Sequence, residues 1–303
     1  MRVRYSFGSR HTGSIGNILK QKVKFPIVMK EVIDISDIIL QVLDARFVED
    51  MRNEDLEKML VRKKKKTSYV LNKADLVNVS DIESKLPADM RPYVFVSVKT
   101  GQGIKDLRNR ISIEAKRVEI PSGMNRVQVG VVGYPNAGKS SLINKIARRG
   151  VASISKHAGH TKGMQKIRLS EDILLLDTPG VIPDSKYSTD RKDLASRDAK
   201  LGSRTYSNVK DPEDVVNYLI SPPKKPKKEG EEEDEESKNV VEEITDISRA
   251  IDKFYEIDSY GDSEVLIEKI GKKKNFLKKG GEVDTDRAAR LILRDWQDGK
   301  IKL

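Results

Sequence analysis

The chain contains no cysteine. That absence excludes a disulfide framework, a zinc finger and a thiol nucleophile. No apolar run approaches the roughly 20 residues a bilayer crossing needs. The basic, polar opening also lacks the apolar core of a secretory signal. The expectation is a soluble cytoplasmic protein that contacts no membrane, and monomeric, since no heptad pattern argues for a coiled coil. The 303 residues leave room for one sizeable core and a smaller module. What the chain has in excess is positive charge: +11 net, with 35% of residues charged. Such a surplus suits a polyanion such as nucleic acid, whose bound counterions it would release. It also suits a solvated Lys/Glu-rich surface of the kind found in thermophiles.

Apolar runs alternate with helical patterns. Strands are expected at Ile38 to Ala45, Ser68 to Leu71, Tyr93 to Val98, Val127 to Val132, Lys166 to Leu169 and Ile173 to Leu176. Helices are expected at Glu54 to Val61 and Ser140 to Arg149. This alternation predicts an α/β fold with a mainly parallel sheet covered on both faces. Pro222 to Glu236 is a basic and then acidic low-complexity run that cannot bury enough apolar surface to fold, so it reads as a linker. A contact of its acidic half with a basic protein is the alternative. Beyond it, Val240 to Tyr255, Ser263 to Ile270 and Asp286 to Trp296 read as helices, the last with Asp284 as N-cap. The expected domains are a basic arm or helix (1–34), a nucleotide-binding domain (35–205), a connecting helix with the charged linker (206–239) and a helical C-terminal domain (240–303).

Three motifs carry chemistry. Gly133-Tyr134-Pro135-Asn136-Ala137-Gly138-Lys139-Ser140 has the G-x-x-x-x-G-K-[ST] form between a strand and a helix. Its backbone N–H groups would wrap phosphates at a helix start, with Lys139 on the β- and γ-phosphates and the Ser140 hydroxyl on Mg²⁺. Asp177-Thr178-Pro179-Gly180 closes an apolar strand. There Asp177 would hold Mg²⁺, and the Gly180 N–H would face the γ-phosphate. Asn72-Lys73-Ala74-Asp75 has the guanine-reading N-K-x-D form. The Asp75 carboxylate would accept from the guanine N1–H and N2–H₂ together, a donor pair adenine lacks. Asn72 would assist at the N7/O6 edge, and the Lys73 stem would cover a ring face. Ser97-Val98-Lys99-Thr100 at the next strand end would add the Val98 N–H to O6 and Lys99 to the base. The expected GTP-binding set is Asn72, Lys73, Asp75, Ser97, Val98, Lys99, Tyr134 through Ser141, and Gly180. Thr161, in Gly159-His160-Thr161-Lys162-Gly163, is the expected γ-phosphate and Mg²⁺ sensor, so Ser140, Thr161 and Asp177 form the metal set and Lys139, Thr161 and Gly180 the catalytic one.

The base reader precedes the phosphate loop, the reverse of the usual order. With that order, Leu43-Asp44-Ala45-Arg46, the G-Y-P-N-A-G-K-S-S loop and the G-H-T-K segment, the chain resembles the circularly permuted GTPases of the YlqF/YawG group. The resemblance implies a Ras-like P-loop GTPase fold with a small helical C-terminal domain. It also implies Mg²⁺-dependent GTP hydrolysis to GDP and phosphate, and a role in assembling the large ribosomal subunit through rRNA contacts. Asn136 stands where potassium-dependent relatives hold K⁺ beside the phosphates. His11 is the candidate for the water-positioning N-terminal His of the bacterial branch, with His157 and His160 as rivals and a plain surface histidine as the favoured reading.

Val181-Ile182 occupy the places where many GTPases carry a water-orienting Gln, so a slow intrinsic rate is expected, raised by K⁺ or by the ribosome. The loop carrying Lys272, Lys273, Lys274, Phe276, Lys278 and Lys279 reads as an RNA contact, with phosphate-binding lysines around a stacking aromatic. Arg62 to Lys66 reads equally as RNA contact or as cations at a helix end, and the Arg2 to Arg10 arm as either ordered or ribosome-contacting. Two alternatives stand: a nucleotide-gated RNA-binding module with negligible turnover, and a GTPase acting on tRNA.

Overall fold

Strand β1 (Ile38–Asp44) is buried along its whole length, as a central strand covered on both faces must be. The computed structural model describes residues 29–119, 126–147, 165–178, 192–221 and 246–303. Beside β1 lie β2 (Lys66–Asn72) and β3 (Tyr93–Phe95) on one side, and β4 (Val127–Gly133), β6 (Ile173–Asp177) and β5 (Gln165–Arg168) on the other. The order is β3-β2-β1-β4-β6-β5, all parallel except for the antiparallel β5–β6 pair. The chain therefore winds outward in opposite directions from β1 and from β4. In such sheets the ligand crevice opens at that switch point, outside the carboxyl ends of the strands.

Side-chain alternation sorts the two faces. Ile38, Leu40 and Val42 point into the main core with Val129, Val131, Leu142 and Leu107. Ile39 and Val132 point the other way, into a smaller cluster with Met29, Ile33, Leu56 and Leu60. That second face is covered by helical residues 29–35 (α1) and by α3 (Glu54–Arg62), the latter capped by Asn53 accepting from the Leu56 N–H. A Cβ at Gly130 would lie 2.4 Å from Ser36 Oγ, so the bare backbone is what lets α1 pack this closely.

Remaining helices are α2 (Val48–Met51), α4 (Val79–Lys85), α5 (Ile104–Ala115), α6 (Lys139–Ala147), α7 (Lys192–Lys200), α8 (Pro212–Ile220), α9 (246–255), α10 (Ser263–Lys273) and α11 (Thr285–Gln297). Helices α8, α10 and α11 pack on one another, and α7 joins them through α8. Helix α11 buries Ala288, Ala289, Ile292, Leu293 and Trp296 on one stripe. Asp284 caps it as expected, accepting from the Arg287 N–H at 3.1 Å. No helix among the described residues is long and apolar enough to cross a membrane.

Two expectations shift. The strand at Tyr93 stops at Phe95: the Val96 N–H still donates to Leu71 O at 2.8 Å, but its carbonyl accepts from the Ala74 N–H and the Ser97 N–H donates to Gln102 O at 3.0 Å. The lysines after α3 are mostly engaged. Lys63 pairs with Asp34, Lys65 Nζ donates to Asp34 O and Ser36 O, and Lys66 Nζ donates to Arg117 O. The two Lys65 bonds satisfy carbonyls at and just past the end of α1, a structural use of the tract. The N-terminal arm with His11, the linker at 222–236, His157, His160, Thr161, Pro179, Gly180, Val181 and Ile182 lie outside the described residues.

Candidate guanine-nucleotide site

Parallel register places the motif residues on one sheet edge. Asp44 pairs with Asn72, Val42 with Gly133, and Val131 with Asp177. The base reader and the phosphate loop then touch: Asn72 Nδ2 donates to Ala137 O at 2.8 Å across 65 residues of sequence. A Cβ on Gly138 would fall 2.3 Å from Asn72 Nδ2, and Gly138 sits at φ +94°. Gly138→Ala should therefore cost about 1–3 kcal/mol from backbone strain alone, and it should pry the two motifs apart. Urea unfolding with and without GDP measures both effects.

At the base end, Ser97 Oγ donates to Asp75 Oδ1 at 2.6 Å, and the Thr100 N–H donates back to Ser97 Oγ at 3.1 Å. The hydroxyl fixes one carboxylate oxygen and orients the other. Ala74 N–H donates to Val96 O at 3.0 Å, joining this loop to the N-K-A-D turn. Lys73 holds φ +62°, a conformation that costs an ordinary side chain energy. Its ammonium lies 2.8 Å from Asp44 Oδ2. Lys99 is exposed, and Val98 is half-buried.

At the phosphate end, Lys139 is buried and donates to Gly133 O at 2.9 Å and Tyr134 O at 2.7 Å. The Tyr134 side chain lies in the core, so only its backbone faces the loop. Ser140 Oγ donates to Asp177 Oδ2 at 2.8 Å, while Asp177 Oδ1 is buried with no hydrogen-bond partner among the described residues. Burial pushes the Asp177 carboxyl up, opposed by the Ser140 hydroxyl and Lys139. A hydroxyl, a buried carboxylate and an orphaned oxygen form a hard-oxygen set, which fits Mg²⁺. Asn136, at φ +58°, donates Nδ2 to Gly202 O at 2.6 Å and so ties the loop to the segment after α7.

Burial also pushes the Lys139 ammonium down to about 8, with Asp177 opposing. The unfolded chain keeps its lysine protonated to about pH 10.5, so it holds more protons than the empty folded form above pH 8. Stability of the empty protein should thus rise with pH between 8 and 10.5. Phosphate needs the charged form, so GDP affinity should fall from pH 8 to 9, by at most about tenfold. Calorimetry across that interval tests the slope, which Lys139→Met should remove.

In the loop after α10, Lys274, Lys278 and Lys279 are exposed and make no ion pair among the described residues. Lys272 pairs with Glu268, and Lys273 with Glu256. Phe276 is half-buried with the Arg287 guanidinium 4.2 Å from its ring centre, so it anchors the loop. A Leu277–Val283 bridge makes the loop a small hairpin with Gly280 and Gly281 at its tip. Sequence reasoning did not assign work to Asp44 or Arg46. The usable signal was a charged residue ending an otherwise apolar buried strand, which demands a partner.

Fold and site together define a circularly permuted P-loop GTP-binding protein. The family described as "50S ribosome-binding GTPase" matches residues 128–254. The uncharacterized GTP-binding protein MJ1464 of Methanocaldococcus jannaschii is 37% identical over 282 residues, covering 93% of this chain and 67% of that protein. Nucleolar GTP-binding protein 2 of Schizosaccharomyces pombe is 31% identical over 277 residues, and the chain spans 46% of its length. GNP-bound YlqF from T. maritima shares the fold, with a TM-score of 0.56 at 22% identity, covering 91% of this chain and 94% of that one. The chain belongs to the YlqF/YawG group of circularly permuted GTPases.

Proposed function

We propose that this protein hydrolyses GTP to GDP and phosphate with Mg²⁺, slowly when alone, and serves in the cytoplasm as a monomeric assembly factor for the large ribosomal subunit. The observation that carries the nucleotide half is the bond from Asn72 to Ala137, which makes one pocket of base reader and phosphate loop. Asp75, oriented by Ser97, reads the guanine edge. Lys139 exchanges two loop carbonyls for phosphate oxygens. Ser140 and Asp177 would hold Mg²⁺, which when bound neutralises phosphate charge. Thr161 and the Gly180 N–H complete the γ-phosphate side, as in other P-loop GTPases.

Asn136 uses its N–H₂ end on Gly202 O. The amide oxygen is its cation-seeking end, which supports a K⁺ role in place of an arginine finger. The ribosomal half rests on the family and on the exposed Lys274, Lys278 and Lys279, which suit rRNA phosphates. Sucrose-gradient sedimentation with large subunits, comparing GDP with a non-hydrolysable GTP analogue, tests it. The expected result is co-sedimentation in the GTP-analogue state, and equal absence in both states would refute it. Val181-Ile182 favour a second reading, a nucleotide-gated RNA-binding module without turnover. Single-turnover hydrolysis that large subunits fail to stimulate would select that reading.

A further inference from the structure

Asp44 ends the most buried strand of the sheet, with its side chain 1% exposed. Four bonds converge on its carboxylate. The Arg46 N–H and Nε donate to Oδ1 at 3.1 Å each, Arg46 Nη2 donates to Oδ2 at 2.9 Å, and Lys73 Nζ sits 2.8 Å from Oδ2. Burial alone would push this carboxyl up, but Arg46 and Lys73 overrule it and hold it well below the usual carboxylate range. The carboxylate is therefore held as an anion between the Arg46 guanidinium and Lys73, whose own ammonium burial pushes down against the pull of Asp44.

Those cations face different places. Lys73 belongs to the base-reading turn. Arg46 reaches the C-terminal helical layer: its Nη1 donates to Trp296 O at 3.2 Å, and its guanidinium lies 4.8 Å from the Trp296 ring centre. Phe47 packs on the same indole, with ring centres 5.8 Å apart. Trp296 Nε1 donates in turn to Lys200 O at 3.1 Å at the end of α7. Beside this line, the Leu303 N–H donates to Leu76 O at 2.9 Å, one residue past Asp75. The end of α11 is thus bonded to the residues that follow β1, and the tail beyond α11 to the residue after Asp75.

We propose that Asp44 and Arg46 act as positioning residues in a relay from the base pocket to α11. Lys73 is its sensing end and the Arg46–Trp296 contact its output. A purine against the Lys73 stem fixes the ammonium on Asp44, which fixes Arg46 and so the seat of Trp296. By linkage, the docking of α11 and the affinity for guanine nucleotide then reinforce each other. The inference rests on the guanine-nucleotide reading of the site.

Trp296 is the chain's single tryptophan, so its fluorescence reports on the indole's surroundings, the Arg46 contact among them. The test titrates GDP into the full chain, following Trp296 emission and, separately, heat by calorimetry. In the native protein both readouts should saturate at the same GDP concentration. Arg46→Met leaves Asp44 paired with Lys73. It should still bind GDP by calorimetry, weakened roughly 5–150-fold, with the emission change gone. Lys73→Met leaves the buried Asp44–Arg46 pair whole, guarding against a variant that does not fold; because Lys73 also covers the base it should bind GDP more weakly, and at a GDP concentration that calorimetry shows to be saturating the emission change should be absent. An emission change that survives in either variant overturns the relay, as does native GDP binding that leaves Trp296 emission unmoved. Absence of calorimetric GDP binding in the native protein instead overturns the nucleotide reading beneath it.

Discussion

Asp75→Asn is expected to convert a guanine reader into a xanthine reader. The Asp75 carboxylate, with Oδ1 held by Ser97 at 2.6 Å, offers only acceptors to the base edge. Guanine answers with donors at N1 and N2. Xanthine carries a carbonyl at C2 and so needs a donor opposite. The amide of Asn supplies one, while its oxygen still accepts the Ser97 hydroxyl, so the turn keeps its shape. A site built around such hydrogen bonds rejects a base that leaves them unmade by roughly 10⁴–10⁵, and the GTP-to-XTP preference should swing by that order. Competition binding with GTP, XTP and ATP reads it directly. A variant that still prefers GTP would show that Asp75 does not read the base.

Lys139→Met should nearly abolish the stabilisation of the protein by nucleotide. Lys139 is the buried cation of the phosphate loop, held between Gly133 O and Tyr134 O until phosphate arrives. Methionine fills a similar volume without charge or donors. Removing one preorganised donor of this kind costs roughly 10²–10³ in stabilising developing charge, and a comparable loss of affinity is expected here. At GDP one hundred times its Kd, the native protein should gain about 2.7 kcal/mol against unfolding. The variant, at the same GDP concentration, should gain under about 0.5 kcal/mol by the same relation. Thermal melts with and without GDP and Mg²⁺ test this. Equal shifts in both proteins would place the phosphates elsewhere.

Much of the site was legible because its chemistry dictates residue type at strand ends. Gly138 is required by a positive φ and by the closeness of Asn72, and Asp75 answers the donor pair on guanine in the proposed reading. The mainly parallel sheet followed from alternating strands and helices, whereas the order of its strands and the antiparallel β5–β6 pair are matters that alternation does not encode. Three things were hidden. Helix α5 begins after Gly101-Gln102-Gly103, whose turn chemistry masked the start, since Gly103 offers no capping side chain. The strand at Tyr93 reads apolar through Val98, yet its last residues are claimed by hydrogen bonds to Gln102 and Ala74. The partners of Asp44 lie one on each side of the sheet's edge, and only tertiary contact could join Lys73, Arg46 and Trp296 to it.

The pairing of β1 with β4 has a consequence for how the molecule is held together. One strand belongs to the half that carries the proposed base reader, the other to the half that carries the phosphate loop. A single small molecule spanning both would work as an internal staple along that seam. Losing it would loosen first the joint at which the two halves meet, while each half kept its own hydrophobic interior.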